Sequence, residues 1–334
     1  MTRRSPPSLD DPRYEHDACG VGFVAATSRR SRERVLPLAL AGLAALGHRG
    51  AFGADGESSD GAGVSLPLDP ELIVRLAPNV AGSGHGIVQL FLPPGRVRGG
   101  RARALVERVF ADAGAPVTRW RRVPVDPSTL GASARASLPD VRQAIVARPD
   151  GMRPRAFETR LILARRTLEE AARAAGLADL SVPSASSRTL VYKGLVAGDR
   201  LAMLYPDLAE PVPLAYAIFH QRYATNTHPE WRLAQPFRHL AHNGEINTVR
   251  GNREQLRGRQ ADRAGAAARG LLAAGPLLST GGSDSLSLDE AVEVLQLTGW
   301  DLPTALLTAI PESLALRLSP HPQVLSRRTC RAMR

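Results

Sequence analysis

Cys19 stands where a side chain could do chemistry. It lies at the mouth of a short apolar run, Val21 to Ala26, that reads as a buried strand. Residues 1–18, polar as far as Asp17, read as a removable leader. A cut between Ala18 and Cys19 would set the thiol beside a free α-amine, whose reference pKa is roughly 7.7–8.0. That amine can take the thiol proton, so one residue supplies both nucleophile and base. The competing role for a lone small cysteine is packing in a core.

Three further groups carry chemistry. Leu214 to Phe219 is apolar on both faces, reads as a central strand, and delivers His220-Gln221-Arg222-Tyr223-Ala224-Thr225 at its end. Arg222 could hold a carboxylate as a bidentate fork. Asn243-Gly244 is a hairpin-turn signal. It could equally place a side-chain amide and a backbone N–H together as a two-donor oxyanion hole. Asp284, in Gly281-Gly282-Ser283-Asp284-Ser285, is either a helix-start acid favoured by the dipole or an anchor for a substrate ammonium group. A cationic and an anionic anchor together describe a pocket for a free α-amino acid.

The elements that must position these groups alternate between strand and helix. Val35 to Leu46 has Leu36, Leu40 and Leu43 on one face and closes at Gly47, which predicts an amphipathic helix. His48-Arg49-Gly50 and a glycine-rich loop, Gly53 to Gly63, lead into a strand, Val64 to Leu68. The loop lacks both the Gly-Lys-Ser/Thr ending and the dinucleotide-binding spacing, so it is a weak phosphate cradle. Strands are expected at Gly86–Leu92, Val117–Val125, Gln143–Ala147, Leu161–Ala164 and Thr189–Tyr192, and helices at Arg101–Ala113 and Leu168–Ala175. Ser184–Ser187 reads as a polar linker, and Ser287 with Glu290 as a capping box opening a helix that stops at Gly299. Several connections are too short for parallel crossovers, so a mixed fold with antiparallel sheets is expected.

Bulk composition narrows the function classes. The 334 residues are 43% hydrophobic, enough for a sizeable core, yet no apolar run approaches a membrane span. Two cysteines, Cys19 and Cys330, make neither a disulfide framework nor a metal cluster, and a cytoplasmic location is expected. The net charge of +11 invites a nucleic-acid partner. However, Lys193 is the only lysine among 43 basic residues, and no basic stripe is interleaved with stacking aromatics. Neither nucleic acid nor membrane is expected as a partner.

Six motifs stand in order: Cys19-Gly20-Val21-Gly22, His48-Arg49-Gly50, Asp60-Gly61-Ala62-Gly63, His220 to Thr227, His242 to Asn247, and Gly282-Ser283-Asp284-Ser285. Together they resemble the class II glutamine amidotransferase domain, and more closely the glutaminase domain of the glutamate synthase large chain. The resemblance implies an α+β fold of the N-terminal-nucleophile hydrolase type, a four-layer αββα sandwich of two antiparallel sheets between helices, expected to be incomplete at the C-terminus. It implies Cys19 as nucleophile with its own α-amine as base, and Asn243 and Gly244 as oxyanion hole. It also implies Arg222 on the α-carboxylate of L-glutamine, Asp284 on its α-ammonium, and Arg49 supporting the nucleophile end. Glutamine would be hydrolysed to glutamate and ammonia. The ammonia would pass to synthase domains that work with a small electron-transfer subunit. FMN and an iron–sulfur cluster are expected only in those domains, with no cofactor or metal in this chain.

The expected organisation is a leader at 1–18, the amidotransferase domain at 19–313, and a disordered tail at 314–334. The tail departs from the family pattern, with no helical or strand period. A truncated domain would leave sheet edges uncovered. The alternative to an active glutaminase is therefore an inactive remnant with at most glutamine binding.

Overall fold

A computed structural model of the chain describes residues 20–78, 84–222, 228–243, 246, 249–258, 270, 274–279 and 281–310. Among these residues the strands are β1 (Val21–Ala25), β2 (Ala62–Pro67), β3 (His85–Leu92), β4 (Val117–Arg122), β5 (Asp140–Ala147), β6 (Ser181–Ser186), β7 (Thr189–Gly194) and β8 (Tyr216–Gln221). One sheet has the order β1-β8-β2-β7 and the other β4-β5-β3-β6. Every pairing is antiparallel.

Side-chain alternation in β3 shows how the layers stack. Ile87 and Phe91 join a core with Leu66, Leu190, Tyr192 and the Val35–Ala45 helix. Val88, Leu90 and Leu92 join a second core with the Arg96–Asp112 and Pro154–Ala174 helices. The β4-β5-β3-β6 sheet thus lies between that shared core and a layer of two helices. Because both faces of β3 are covered, its sequence is apolar almost throughout. Several buried polar groups between the sheets pair with one another. Gln143 donates to Gln89 at 2.9 Å, the Tyr192 hydroxyl donates to Asp207 at 2.8 Å, and Arg121 grips Asp207 bidentately at 2.6 and 2.8 Å.

Three sequence expectations are corrected. Leu161–Ala164 is not a strand but the middle of the Pro154–Ala174 helix. Phe157, Leu161, Ala164, Leu168 and Ala172 recur at helical spacing on its buried face, and a four-residue apolar run alone cannot distinguish the two periods. Ser184–Ser187 is not a linker, since β6 runs through Ser186. Its serines tolerate burial because their hydroxyls are bonded: Ser184 accepts from the Val191 N–H at 3.2 Å, and Ser186 from the Arg188 N–H at 2.9 Å. The helix expected to open at Ser287 begins at Asp284. Its N-cap is Ser283, whose hydroxyl accepts from the Leu286 N–H at 3.1 Å. Glu290 is turned to Ser279 instead, at 2.6 and 2.8 Å.

β8 is held in place by a missing side chain on each of two neighbours. The Phe219 ring is clamped between β1 and the Val35–Ala45 helix. A Cβ on Gly22 would lie 2.5 Å from its Cζ, and one on Gly42 would lie 2.7 Å away. Clamped from both sides, the ring cannot yield. A helix-interior Gly→Ala change ordinarily stabilises by roughly 0.5–1 kcal/mol. Here Gly42→Ala is expected to destabilise by about 1–3 kcal/mol through overpacking, measured by urea unfolding. A stabilised variant would contradict the clamp.

Candidate active site

β8 carries the site because it is interior to its sheet. His220 lies opposite Val21 of β1 and Gly63 of β2, so neighbouring strands fix its backbone on both sides. The next residue, Gln221, is 1% exposed and gathers the surrounding loops. Its backbone N–H donates to the Gly20 carbonyl at 2.7 Å. Its side-chain oxygen accepts from the Gly198 N–H at 2.7 Å, and its amide nitrogen donates to Ser59 at 3.3 Å. The His48-Arg49-Gly50 turn packs on the same amide, with a Gly50 Cβ position 2.5 Å from Nε2. Arg49 itself donates to His48 at 3.1 Å. The glycine-rich loop is drawn in too, since the Arg222 N–H donates to the Gly61 carbonyl at 2.7 Å. Residues 58–63 are buried there, so the loop packs against β8 rather than forming an open phosphate cradle.

Arg222 is buried at the end of the strand. Burial pulls its pKa down, while the charges of Asp60, Glu230 and Asp284 oppose the shift. The structure therefore brings Arg222 and Asp284, two predicted anchors, within electrostatic reach of each other. Asp284 sits at the first turn of the Asp284–Leu297 helix. One of its oxygens accepts from the Ser285 N–H at 2.6 Å and the other from the Ile246 N–H at 2.9 Å. The second bond ties the helix start to the segment that carries Asn243.

Residues 235–243 of that segment make no strand, and no hairpin flanks Asn243 on its N-terminal side. Side chains hold it instead. The Gln235 amide pairs with the His242 backbone in both directions, at 2.9 Å each way. The His239 N–H donates to Asp289 at 2.7 Å. Lys193 donates to the carbonyls of Arg232 and Ala234 at 2.9 and 2.7 Å, and its ammonium lies 4.8 Å from the Phe237 ring centre. Burial, reinforced by the nearby Arg238 charge, pushes the Lys193 amine down to about 7. Behind the loop, Glu293 is fully buried beside Arg165 at 2.5 Å and Arg166 at 3.1 Å. Burial alone would push its carboxyl up, but Arg165 and Arg238 hold it well below the usual range.

Asn243 is exposed, and its Oδ1 is hydrogen-bonded to Nε2 of His220. Its Nδ2 lies 3.1 Å from where a Cβ on Gly20 would stand. The asparagine amide nitrogen thus sits over the residue that follows Cys19. Cys19 and Gly244, both expected at the site, lie outside the described residues. Sequence reasoning passed over Gln221, Gln235 and Arg253. Arg253 donates to the Gly282 carbonyl and the Ser287 hydroxyl at 2.7 Å each, bracing the turn before Asp284. Gln221 and Arg253 fall inside or beside quoted motifs, which was a usable signal. Nothing local marks Gln235. Among the described residues, no group of three or more His, Cys, Asp or Glu side chains could hold a metal ion. No helix among them is long and apolar enough to cross a membrane.

Residues 19–323 match the class-II glutamine amidotransferases, and the chain belongs to that family. Its two antiparallel four-stranded sheets with packed helices are consistent with the α+β, N-terminal-nucleophile-hydrolase-like sandwich expected from the resemblance. The chain is 37% identical over 314 residues to the NADPH glutamate synthase large chain of Azospirillum brasilense, covering 91% of this chain and 20% of that one. It is also 37% identical to the chloroplastic ferredoxin-dependent glutamate synthase of Oryza sativa subsp. japonica, covering 91% and 19%. Identity to the Bacillus subtilis NADPH glutamate synthase large chain is 32%, covering 90% and 20%. The chain spans about a fifth of the length of these curated relatives.

The buried imidazole predicts a pH dependence. Burial pushes His220 down to about 4, against the raising effect of its bond to Asn243. An unfolded histidine titrates near ~6.5, so between about pH 6.5 and about 4 the unfolded chain binds the extra proton. This contribution is complete above about pH 6.5 and is lost as pH falls, on the order of 3 kcal/mol in all. His220→Gln should flatten that part of the slope in urea unfolding between about pH 5 and about pH 7. Equal slopes in the two chains would contradict the assignment.

Proposed function

We propose that this chain hydrolyses L-glutamine to L-glutamate and ammonia, with Cys19 as an N-terminal nucleophile exposed by removal of residues 1–18. The observation that carries the proposal is the placement of the Asn243 amide nitrogen over Gly20, with Arg222 and Asp284 within electrostatic reach of each other. A family match that opens at residue 19 supports the position of the cut.

The steps follow from the groups present. The α-amine of Cys19 takes the thiol proton, and the thiolate attacks the side-chain carbonyl carbon of glutamine. The carbonyl oxygen becomes an oxyanion, met by the Asn243 N–H and the Gly244 backbone N–H. Arg222 holds the α-carboxylate and Asp284 the α-ammonium, which fixes the length of amino acid that can reach the thiol. Arg49 supports the nucleophile end. The ammonium formed on Cys19 returns its proton to the departing nitrogen, and the C–N bond breaks to release ammonia and leave a γ-glutamyl thioester. Water then attacks the thioester, the amine takes its proton, and glutamate leaves as the thiol is restored.

The similarity to glutamate synthases extends the proposal beyond this chain. Ammonia made here would feed synthase domains that convert 2-oxoglutarate to a second glutamate, with FMN, an iron–sulfur cluster and an electron-transfer subunit belonging to those domains. The relatives' names carry two different electron donors, NADPH and ferredoxin.

Ammonia release from a chain whose intact mass begins at Cys19 tests the proposal. Cys19→Ala should reduce release to background, and Asn243→Ala should lower kcat about 10²–10³-fold. A chain still carrying residues 1–18 should be inactive, because its thiol has no neighbouring free amine. Glutamine binding without turnover from a chain beginning at Cys19 would favour the inactive-remnant alternative. Full activity from a chain beginning at Met1 would overturn the mechanism.

A further inference from the structure

We propose that His220 is a positioning residue for the oxyanion donor: its ring N–H holds Oδ1 of Asn243 and thereby turns the amide nitrogen toward the nucleophile end of β1. This rests on the glutaminase proposal for its catalytic meaning, but the geometry stands by itself. A side-chain amide is nearly symmetric in shape, and rotating it by half a turn exchanges a donor for an acceptor. With nitrogen toward Gly20, Asn243 offers N–H bonds to a developing oxyanion. With oxygen there, it would repel that oxyanion. Something must choose between the two orientations.

The choice falls to His220. A carbonyl oxygen only accepts, so the Nε2 that meets Oδ1 must carry hydrogen. That defines the tautomer. The ring is 1% exposed and stands on a strand paired on both sides, whereas Asn243 lies in an irregular segment. The stiff partner therefore orients the adaptable one. The ring is also kept neutral by its burial. The charged and titratable groups bearing on it are Arg222, just past the end of its strand, and His242 from the adjoining loop. Its neighbours Val21 and Gly63 in the flanking strands carry no charge.

Kinetics and spectroscopy test the proposal separately, both on chains beginning at Cys19. His220→Leu should lower kcat about 10²–10³-fold, as for loss of one oxyanion donor, with KM changed less than about threefold. His220→Gln offers an amide N–H at the same reach and should recover activity to within about tenfold of the parent. Adding His220→Leu to Asn243→Ala should cost nothing further, because orienting an absent amide has no effect. A parent-like kcat in His220→Leu, a loss confined to KM, or multiplicative losses in the double variant would overturn the proposal. Nitrogen-15 NMR of the imidazoles reads the geometry without any turnover. A neutral ring protonated at Nε2 at neutral pH supports the proposal, and a ring protonated at Nδ1 overturns it even if His220→Leu fails to fold. Absence of turnover in the parent chain would instead count against the glutaminase proposal, leaving the tautomer to decide the orientation.

Discussion

One backbone hydrogen bond joins the scaffold to the chemistry: the Gln221 N–H donates to the Gly20 carbonyl at 2.7 Å. It carries the β1–β8 pairing one residue beyond β1, and it places the residue after Cys19 beside the strand that carries His220 and delivers Arg222. Strand pairing is stiff because shifting by one residue would turn every side chain to the opposite face. The position of Gly20 therefore follows from the register of the whole β1–β8 ladder. Gly20 is required at that point, since a Cβ would stand 2.3 Å from the Gln221 carbonyl oxygen.

The opposite wall of the site is built on different principles. The segment from Gln235 to Asn243 has no ladder to hold it, so side chains substitute for one. Gln235 imitates a strand partner for His242, Asp289 receives the His239 N–H, and Asp284 receives the Ile246 N–H. Both carboxylates stand on one helix, Asp284–Leu297. That helix is anchored in turn by the buried contacts of Glu293 with Arg165 and Arg166 on the Pro154–Ala174 helix. Buried ion pairs of this kind contribute little net stability but penalise alternative arrangements, because displacing one partner strands the other. The outer helix layer of one sheet is thus connected to a loop beside the end of the other.

Much of this was legible in the sequence. Both-face apolar runs located β3 and β8, and the spacing of Leu36 and Leu43 located the Val35–Ala45 helix. The order of the six motifs pointed to the family. What escaped was long-range. Leu161–Ala164 looked like a strand because a short apolar run carries no period of its own. The Ser184–Ser187 serines looked like a linker because their hydroxyl partners lie on other elements. Gln235 could not be found from its neighbours, since its significance is a pairing seven residues away that involves only the backbone of His242. His220 stood in plain view within a motif. Its contact with Asn243 spans 23 positions, and only folding reveals it.

The central proposal is that Cys19 attacks a glutamine held by Arg222 and Asp284, with the Asn243 amide meeting the oxyanion. Covalent labelling with a glutamine analogue carrying an electrophile in place of the side-chain amide tests it most directly. With the chain beginning at Cys19, one label should be found by peptide mass on Cys19 and none on Cys330, and excess L-glutamine should suppress it. Labelling of Cys330, or labelling of Cys19 that glutamine does not slow, would contradict the account.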